Sequence, residues 1–504
     1  MSTREPSAPA DGTPPVEAPA RTSPPESPAG RYPHPLIDRY ASAEMADLFA
    51  PRTQALMWRD LWIALADEER ALGAPIPEEA VAAMLEARDR VDLERIAEIE
   101  RETRHDVMAH VHHFGEVAPA ARGHIHLGAT SAYVADNASL LQHRDGLRIV
   151  RRRLLGAIDA LAGFARAHAG VPTLGYTHLQ PAQPTTVGKR ACLWLQDLLL
   201  DLEQVEAVLG ELRLRGARGT TGTEASFLDL FEGDESRVEE LNARLARRLG
   251  FAGTYDVVGQ TYPRKIDHRC LSVLAGIGAS TSRFGQDIRL LQSMGELEEP
   301  FGERQVGSSA MPYKRNPMRS ERICALARHL CVLETDAAWT ASVQGLERTL
   351  DDSANRRIAL PEAYLCADAV LQLARNVAAG LVVREAVVRA RLERELPFLV
   401  AERVLVAGVR RGGDRQELHE RVRRHALAAR ERLAEGAADN DFLTRVAADP
   451  AFGLDEAELA SLARPERLIG RAPRQTERFL TRKVEPRLRE ATAESGDEPV
   501  ELRV

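Results

Sequence analysis

The 504-residue chain is poor in cysteine: Cys192, Cys270, Cys324, Cys331 and Cys366 are its only thiols, and no two form a CxxC pair. That spacing excludes a disulfide framework and a cysteine-based zinc site, and in helix-like surroundings it implies reduced thiols in a cytosolic protein. Long apolar runs are also missing. None approaches the roughly 18–20 residues of a membrane span, and the N-terminus is proline-rich and charged, so the chain reads as soluble, unsecreted and cytoplasmic, with no membrane partner. An excess of positive charge is lacking as well. The 67 lysines and arginines stand against 75 aspartates and glutamates, a net charge of −8, which excludes a nucleic-acid partner held by global attraction. Gly216, Gly219 and Gly222 in GARGTTG match neither the Walker pattern nor the dinucleotide fingerprint, so no nucleotide cofactor is held that way. With no sustained β–α alternation and no repeat of twenty to fifty residues, a doubly wound fold is disfavoured. Residues 1–30 carry almost no large apolar side chain and cannot offset the entropy of ordering, which marks a disordered, proline-rich tail.

What remains is helical. Between Lys189 and Arg215 the residues Leu195, Leu198, Leu202, Val205, Leu209 and Leu212 recur at spacings of three and four, one stripe on a helix of about seven turns. Cys270, Val273, Ile277, Phe284, Ile288 and Leu291 repeat the pattern, and further helices are expected near 140–168, 318–344 and 354–380. Helices of this length, with apolar residues off the main stripe, imply a bundle completed by other subunits. The expected fold is all-α. It comprises an N-terminal helical domain (31–125), a central long-helix bundle (126–383), a C-terminal helical domain (384–488) broken by Gly412-Gly413, Pro465 and Pro473, and a tail (489–504).

Four stretches carry more fixed polarity than connectors need. In GSSAMPYKRNPMRSER (307–322), Asn316 is expected to cap a helix entered through Pro317. Gly307, Ser308, Ser309 and Lys314 would then lie beside a helix N-terminus, a setting that attracts anions. TLGYTHLQPAQPTTVGKR (173–190) sets His178 among Thr177, Gln180, Gln183 and Thr185, with Pro181 and Pro184 delaying helix formation; histidine is the side chain best suited to moving protons near neutral pH. RHDVMAHVHHFG (104–115) and GHIHLGATS (123–131) are rich in histidine, but without HExxH or a cysteine pair they do not read as a metal site. Thr130 and Ser131 suit contacts to an anion instead. In QGLERTLDDSANRRIALPEA (344–363), Arg348, Ser353, Arg356 and Arg357 fit either a solvated, ion-paired helix start or a phosphate clamp.

Together these stretches resemble one family. GSSAMPYKRNP is similar to the signature loop of the fumarase/aspartase superfamily, whose members release fumarate by β-elimination. RHDVMAHV, HLGATS, the 173–190 stretch, GTTGTEASF and RTLDDSANRR narrow the resemblance to the adenylosuccinate lyase family, in the form familiar from animals, over about residues 31–488. The resemblance implies a homotetramer whose composite active sites draw on three subunits. It implies cleavage of adenylosuccinate to AMP and of SAICAR to AICAR, with neither cofactor nor metal. By this likeness Ser308 is the general base and His178 the general acid, Glu321 is the histidine's carboxylate partner, and Lys314 and Asn316 hold the substrate carboxylate beside Ser309. His105 belongs with both the chemistry and the nucleotide. The nucleotide end comprises Arg39, Tyr40, Arg104, His105, Asp106, Thr130, Ser131, Gln260, Arg322, Arg348, Ser353 and Arg357. Two positions depart from the pattern: Gly345 stands where an aromatic residue is expected, and Pro263 where a polar one is. Another fumarate-releasing lyase, such as one for argininosuccinate, and a catalytically silent, crystallin-like homologue are the alternatives.

Overall fold

The structure, a computed structural model, describes residues 34–302 and 304–492; the 1–30 tail and residues 493–504 lie outside them. Helix dominates. The N-terminal region includes α1 (Pro51–Ala71) and α2 (Asp106–Val117), and the chain then enters the longest helix, α3 (Ser131–Ala167). A β-hairpin follows, β1 (Pro172–Thr177) and β2 (Gln180–Thr186), and leads directly into α4 (Val187–Glu211). The bundle is completed by α5 (Lys265–Ser293), α6 (Met318–Ser342) and α7 (Asp352–Gly380). Between α5 and α6 the two-residue strand β3 (Leu297–Glu298) pairs with β4 (Val382–Val383), just before α8 (Glu385–Leu399).

The apolar stripes are buried as their spacing requires. Leu195, Leu198, Leu202 and Val205 on α4 face inward, as do Cys270, Ile277, Phe284, Ile288 and Leu291 on α5. Thr186 starts α4 by accepting a hydrogen bond from the Lys189 N–H at 3.1 Å; the helix stops at Glu211, so Leu212 is buried from beyond its end. One core runs from Leu36 in the N-terminal region through the bundle to Leu480 and Val484. A smaller core around Val400, Val404, Leu418, Phe442 and Phe452 sits within the C-terminal part. All five cysteines are free, and Cys270, Cys324 and Cys366 are buried.

The hairpin was not legible as strand. Pro181 and Pro184 break the expected hydrogen-bonding pattern of β2, and the two-residue turn, His178-Leu179, lacks the usual Gly or Asn although both residues take positive φ (+53° and +56°).

Candidate active site

The side chains singled out by sequence fall into separate settings. The first is a cavity of about 300 Å³ where the N-terminal region meets α3 and the start of α7. Arg348, Ser353, Arg357 and Asp106 line it, so residues far apart in sequence share one space. The Arg357 guanidinium donates to Asp106 at 2.5 Å. Four arginines and two aspartates line the cavity, and guanidinium forks are the donors that suit an anion.

Most of that charge is fixed in place by burial. Arg264 donates to Asp136 through both terminal nitrogens at 3.0 and 3.1 Å and to Asp352 through Nε at 2.6 Å; all three residues are almost wholly buried. Asp352 also accepts from Arg348 at 2.9 and 3.0 Å, which aims the Arg348 side chain. Beside this lies a second buried chain. Arg356 donates to Asp267 at 2.7 Å and to the Tyr262 hydroxyl at 2.6 Å, and Tyr262 in turn donates to Asp267. His143 bridges Asp267 at 2.9 Å and Tyr364 at 2.8 Å. Burial disfavours charge on His143, but Cys270 and Asp267 outweigh it and raise the imidazole pKa to about 9. Burial likewise opposes charge on Asp267, yet Arg356 and His143 hold it well below the usual carboxylate range. Arg356, which the sequence grouped with Arg348 and Arg357, is therefore a structural partner rather than an unpaired cation.

Gln260 is held by its backbone from two sides. Its N–H donates to the Glu347 carbonyl at 3.0 Å, and its own carbonyl accepts from Arg215 Nε at 2.7 Å. Arg215 is fully buried and spends its remaining hydrogen bonds on the carbonyls of Gly216 and Gly219, at 3.0 and 2.9 Å. The glycines that matched no nucleotide motif thus serve close packing. A Cβ on Gly222 (φ +81°) would come within 1.9 Å of the Val258 carbonyl. Pro263 is exposed just before α5, where its missing N–H breaks no helix hydrogen bond.

At the entrance to α2, His105 accepts from the Met108 N–H through Nδ1 at 3.3 Å. In the neutral ring Nε2 is then the protonated nitrogen, donating to the Ser131 hydroxyl at 3.3 Å. Arg104, immediately before it, takes a left-handed φ of +56°. Thr130 precedes α3 without a side-chain cap. Arg39 and Arg322 both lie over the Tyr40 ring, 5.9 and 5.4 Å from its centre. Three other histidines of the cluster have partners within the chain: His110 packs edge-on against Trp58, His113 accepts from the Asp92 N–H at 3.1 Å, and His126 accepts from Trp62 at 2.8 Å.

The signature loop corrects one expectation. Asn316 does not cap α6; its side-chain amide donates to the Gly307 carbonyl at 2.8 Å, closing the loop on itself. Gly307 must be glycine there, because a Cβ would sit 2.1 Å from the Lys314 carbonyl. The cap is supplied by a residue the sequence reading passed over. The buried Glu299 carboxylate accepts from the N–H groups of Arg319 and Ser320, both at 2.9 Å, and from the Ser320 hydroxyl at 2.8 Å. The N-terminal N–H groups of α6 are therefore already engaged by an acid, and a substrate anion has no claim on them. What remains for Ser308 is local: its Oγ accepts from the Met311 N–H at 3.2 Å. Ser309, Lys314 and Glu321 are exposed, and so is His178 at the hairpin turn; among the described residues none of these four side chains has a hydrogen-bonding partner.

Comparison with known proteins agrees along nearly the whole chain. Residues 54–331 match a family model described as a lyase, and residues 397–479 match one described as the adenylosuccinate lyase C-terminus. Adenylosuccinate lyase of Schistosoma mansoni is 48% identical over 457 residues, 90% of this chain and 95% of that protein. The Saccharomyces cerevisiae enzyme of the same name is 48% identical, over 94% of this chain and 99% of its own. Among solved structures, 3-carboxy-cis,cis-muconate lactonizing enzyme from Pseudomonas putida has a TM-score of 0.78 at 25% identity, covering 90% of this chain and all of that one. Fumarate lyase from Mesorhizobium sp. BNC1 has a TM-score of 0.77 at 26% identity, over 88% and 99%.

Proposed function

The chain belongs to the adenylosuccinate lyase family, and from that premise we propose how its residues divide the work of releasing fumarate from adenylosuccinate, leaving AMP, and from SAICAR, leaving AICAR. Ser308 Oγ takes the proton from the succinyl carbon next to a carboxylate. The C–H electrons become the new C=C bond, the C–N bond breaks, and His178 protonates the departing nitrogen. Lys314 and Asn316 hold the carboxylate on which negative charge builds, with Ser309 beside them, and Glu321 is the carboxylate partner of His178.

One observation carries the base assignment. A serine hydroxyl is a feeble base, and Ser308 already receives a backbone hydrogen bond from Met311 at 3.2 Å, which favours the oxyanion it must become. This replaces the helix N-terminus as the source of activation, since Glu299 occupies that end. Lys314, exposed in the same loop, adds positive charge. At the other end Arg348, Ser353 and Arg357 take the phosphate. Arg39, Tyr40, Arg322, Arg104, His105, Asp106, Thr130, Ser131 and Gln260 surround the rest of the nucleotide, His105 also lying at the reacting end.

We further propose that the site is composite and assembled in a homotetramer. A single chain leaves His178 and the signature loop exposed, and α6 with the segment after it presents Val332, Trp339, Val343, Leu346 and Leu350 uncovered. No helix among the described residues is long and apolar enough to cross a membrane; a cytoplasmic setting is the finer reading, supported by five free cysteines. The test mixes two inactive variants, Ser308→Ala and His178→Ala, under conditions that exchange subunits. Regained fumarate release is expected, because some mixed oligomers then hold a site with both groups. Mixtures that exchange subunits yet stay inactive would refute the composite site.

A further inference from the structure

The hairpin that carries His178 is held by a buried carboxylate to which no role has yet been given. Glu296, at 1% exposure, lies just before β3. Its Oε1 accepts from the Tyr176 hydroxyl at 3.2 Å and from Arg391 Nε on α8 at 2.9 Å. Arg391 also donates to the Tyr176 hydroxyl at 3.4 Å, so the phenol is fixed both as donor and as acceptor. Burial raises the Tyr176 pKa and keeps the phenol protonated for that donation. A second cation, Arg190 on α4, stands 3.9 Å from Glu296 Oε2 and donates to the Leu174 carbonyl of β1 at 2.6 Å. Among the described residues Oε2 itself has no hydrogen-bond partner.

Tyr176 is the last residue before the turn whose side chain is anchored to the body of the protein. Beyond it come Thr177, His178 and Leu179, all exposed, with the turn in a left-handed conformation that non-glycine residues adopt only under constraint. On the return strand, Gln183 reaches Glu402 at 3.2 Å. The position of the imidazole therefore depends on what holds Tyr176, two residues away.

We propose that Glu296 and Tyr176 are positioning residues for the general acid: the Tyr176–Glu296–Arg391 contacts set where the His178 turn projects. The inference rests on His178 being that acid. Protonation of a leaving nitrogen is sensitive to displacements of about 1 Å, whereas affinity for the remote nucleotide end is not. Loosening the hairpin therefore lowers turnover and leaves substrate affinity nearly unchanged.

The test is a double-mutant cycle on the full-length assembled enzyme. Tyr176→Phe removes one hydroxyl and little else, and Glu296→Gln keeps the size of the side chain while removing its charge. Each is measured alone and combined with His178→Ala, following fumarate release. The expected result for Tyr176→Phe is a kcat about ten-fold lower with KM nearly constant, as for loss of one hydrogen bond to a charged group, and no further loss on top of His178→Ala. Equal losses with and without His178, or no loss at all, would overturn the positioning role. If Glu296→Gln does not fold, Tyr176→Phe decides by itself. Near-normal turnover by His178→Ala alone would instead overturn the acid assignment, and the positioning proposal with it.

Discussion

The two ends of the site are built in opposite ways. Around the cavity lined by Arg348, Ser353 and Arg357, the residues Arg264, Asp136, Asp352, Arg356 and Asp267 satisfy one another in the interior, and those pairs aim the side chains that face the cavity. At the end proposed to react, His178, Ser309, Lys314 and Glu321 are exposed, and order resides in the backbone: the clasp of Gly307 by Asn316, the Met311 N–H on Ser308, the anchored hairpin. A buried ionic network rigidifies because breaking any member strands a charge. Groups proposed to exchange protons cannot be spent on such pairs. The first end is suited to hold a fixed anion and the second to act.

The contrast can be broken at four points. Ser308→Ala or His178→Ala is expected to lower kcat by about 10²–10⁴-fold with the oligomer and its melting temperature intact, as befits side chains the fold does not need. Near-normal turnover of Ser308→Ala in a fumarate assay would remove the base assignment. Arg264→Met should behave in the opposite manner. It leaves Asp136 and Asp352 without their buried partner and should cost about 3–5 kcal/mol of stability, read as a large drop in denaturation midpoint. A normal midpoint would show that the network is not what stiffens the cavity.

Arg357→Ala is expected to act more gently, because its partner Asp106 is only partly buried. Loss of one charge-assisted contact should raise KM for both ribotides by roughly 10–100-fold and leave kcat within a few-fold. A fall in kcat at constant KM would move Arg357 out of the phosphate end. The smallest effect concerns Glu69 on α1, which lies in the core and, among the described residues, has no hydrogen-bond partner for either oxygen. Burial raises its pKa well above the ordinary glutamate value. Between that ordinary value and the raised one, the folded state keeps a proton the unfolded chain releases. Its stabilising share is thus full in acid and lost as pH rises through the folded value. Glu69→Met should therefore gain melting temperature over the wild type at pH 8, with the gap narrowing toward pH 5. A gap that does not depend on pH would show Glu69 is not titrating.

Much of the fold was open to a reader of the sequence because a helix buries a face every three to four residues, and the α4 stripe follows that period without interruption, the α5 stripe with one gap between Ile277 and Phe284. The hairpin was hidden because prolines and a turn without glycine mask a strand's alternation. Glu299 was passed over because a cap from another segment leaves no local mark, whereas Asn316-Pro317 imitates one. A signal did exist on α3: Asp136, Asn137, His143 and Arg153 are polar residues on an otherwise apolar buried face. Polar side chains in such a stripe require partners, and the sequence cannot say which.

Taken by itself, the order of residues determined the helical class, the long bundle helices and the family to which the signature loop points, since each depends on neighbours a few positions apart. Only the tertiary structure decided which arginines are free to meet a ligand. Arg264 finds Asp136 across 128 positions and Arg356 finds Asp267 across 89, while Arg357 is left at the surface of the cavity. The reason is physical. A charge is assigned to scaffold or to ligand by the water it loses and the partner it meets, and both are set by how the helices cross.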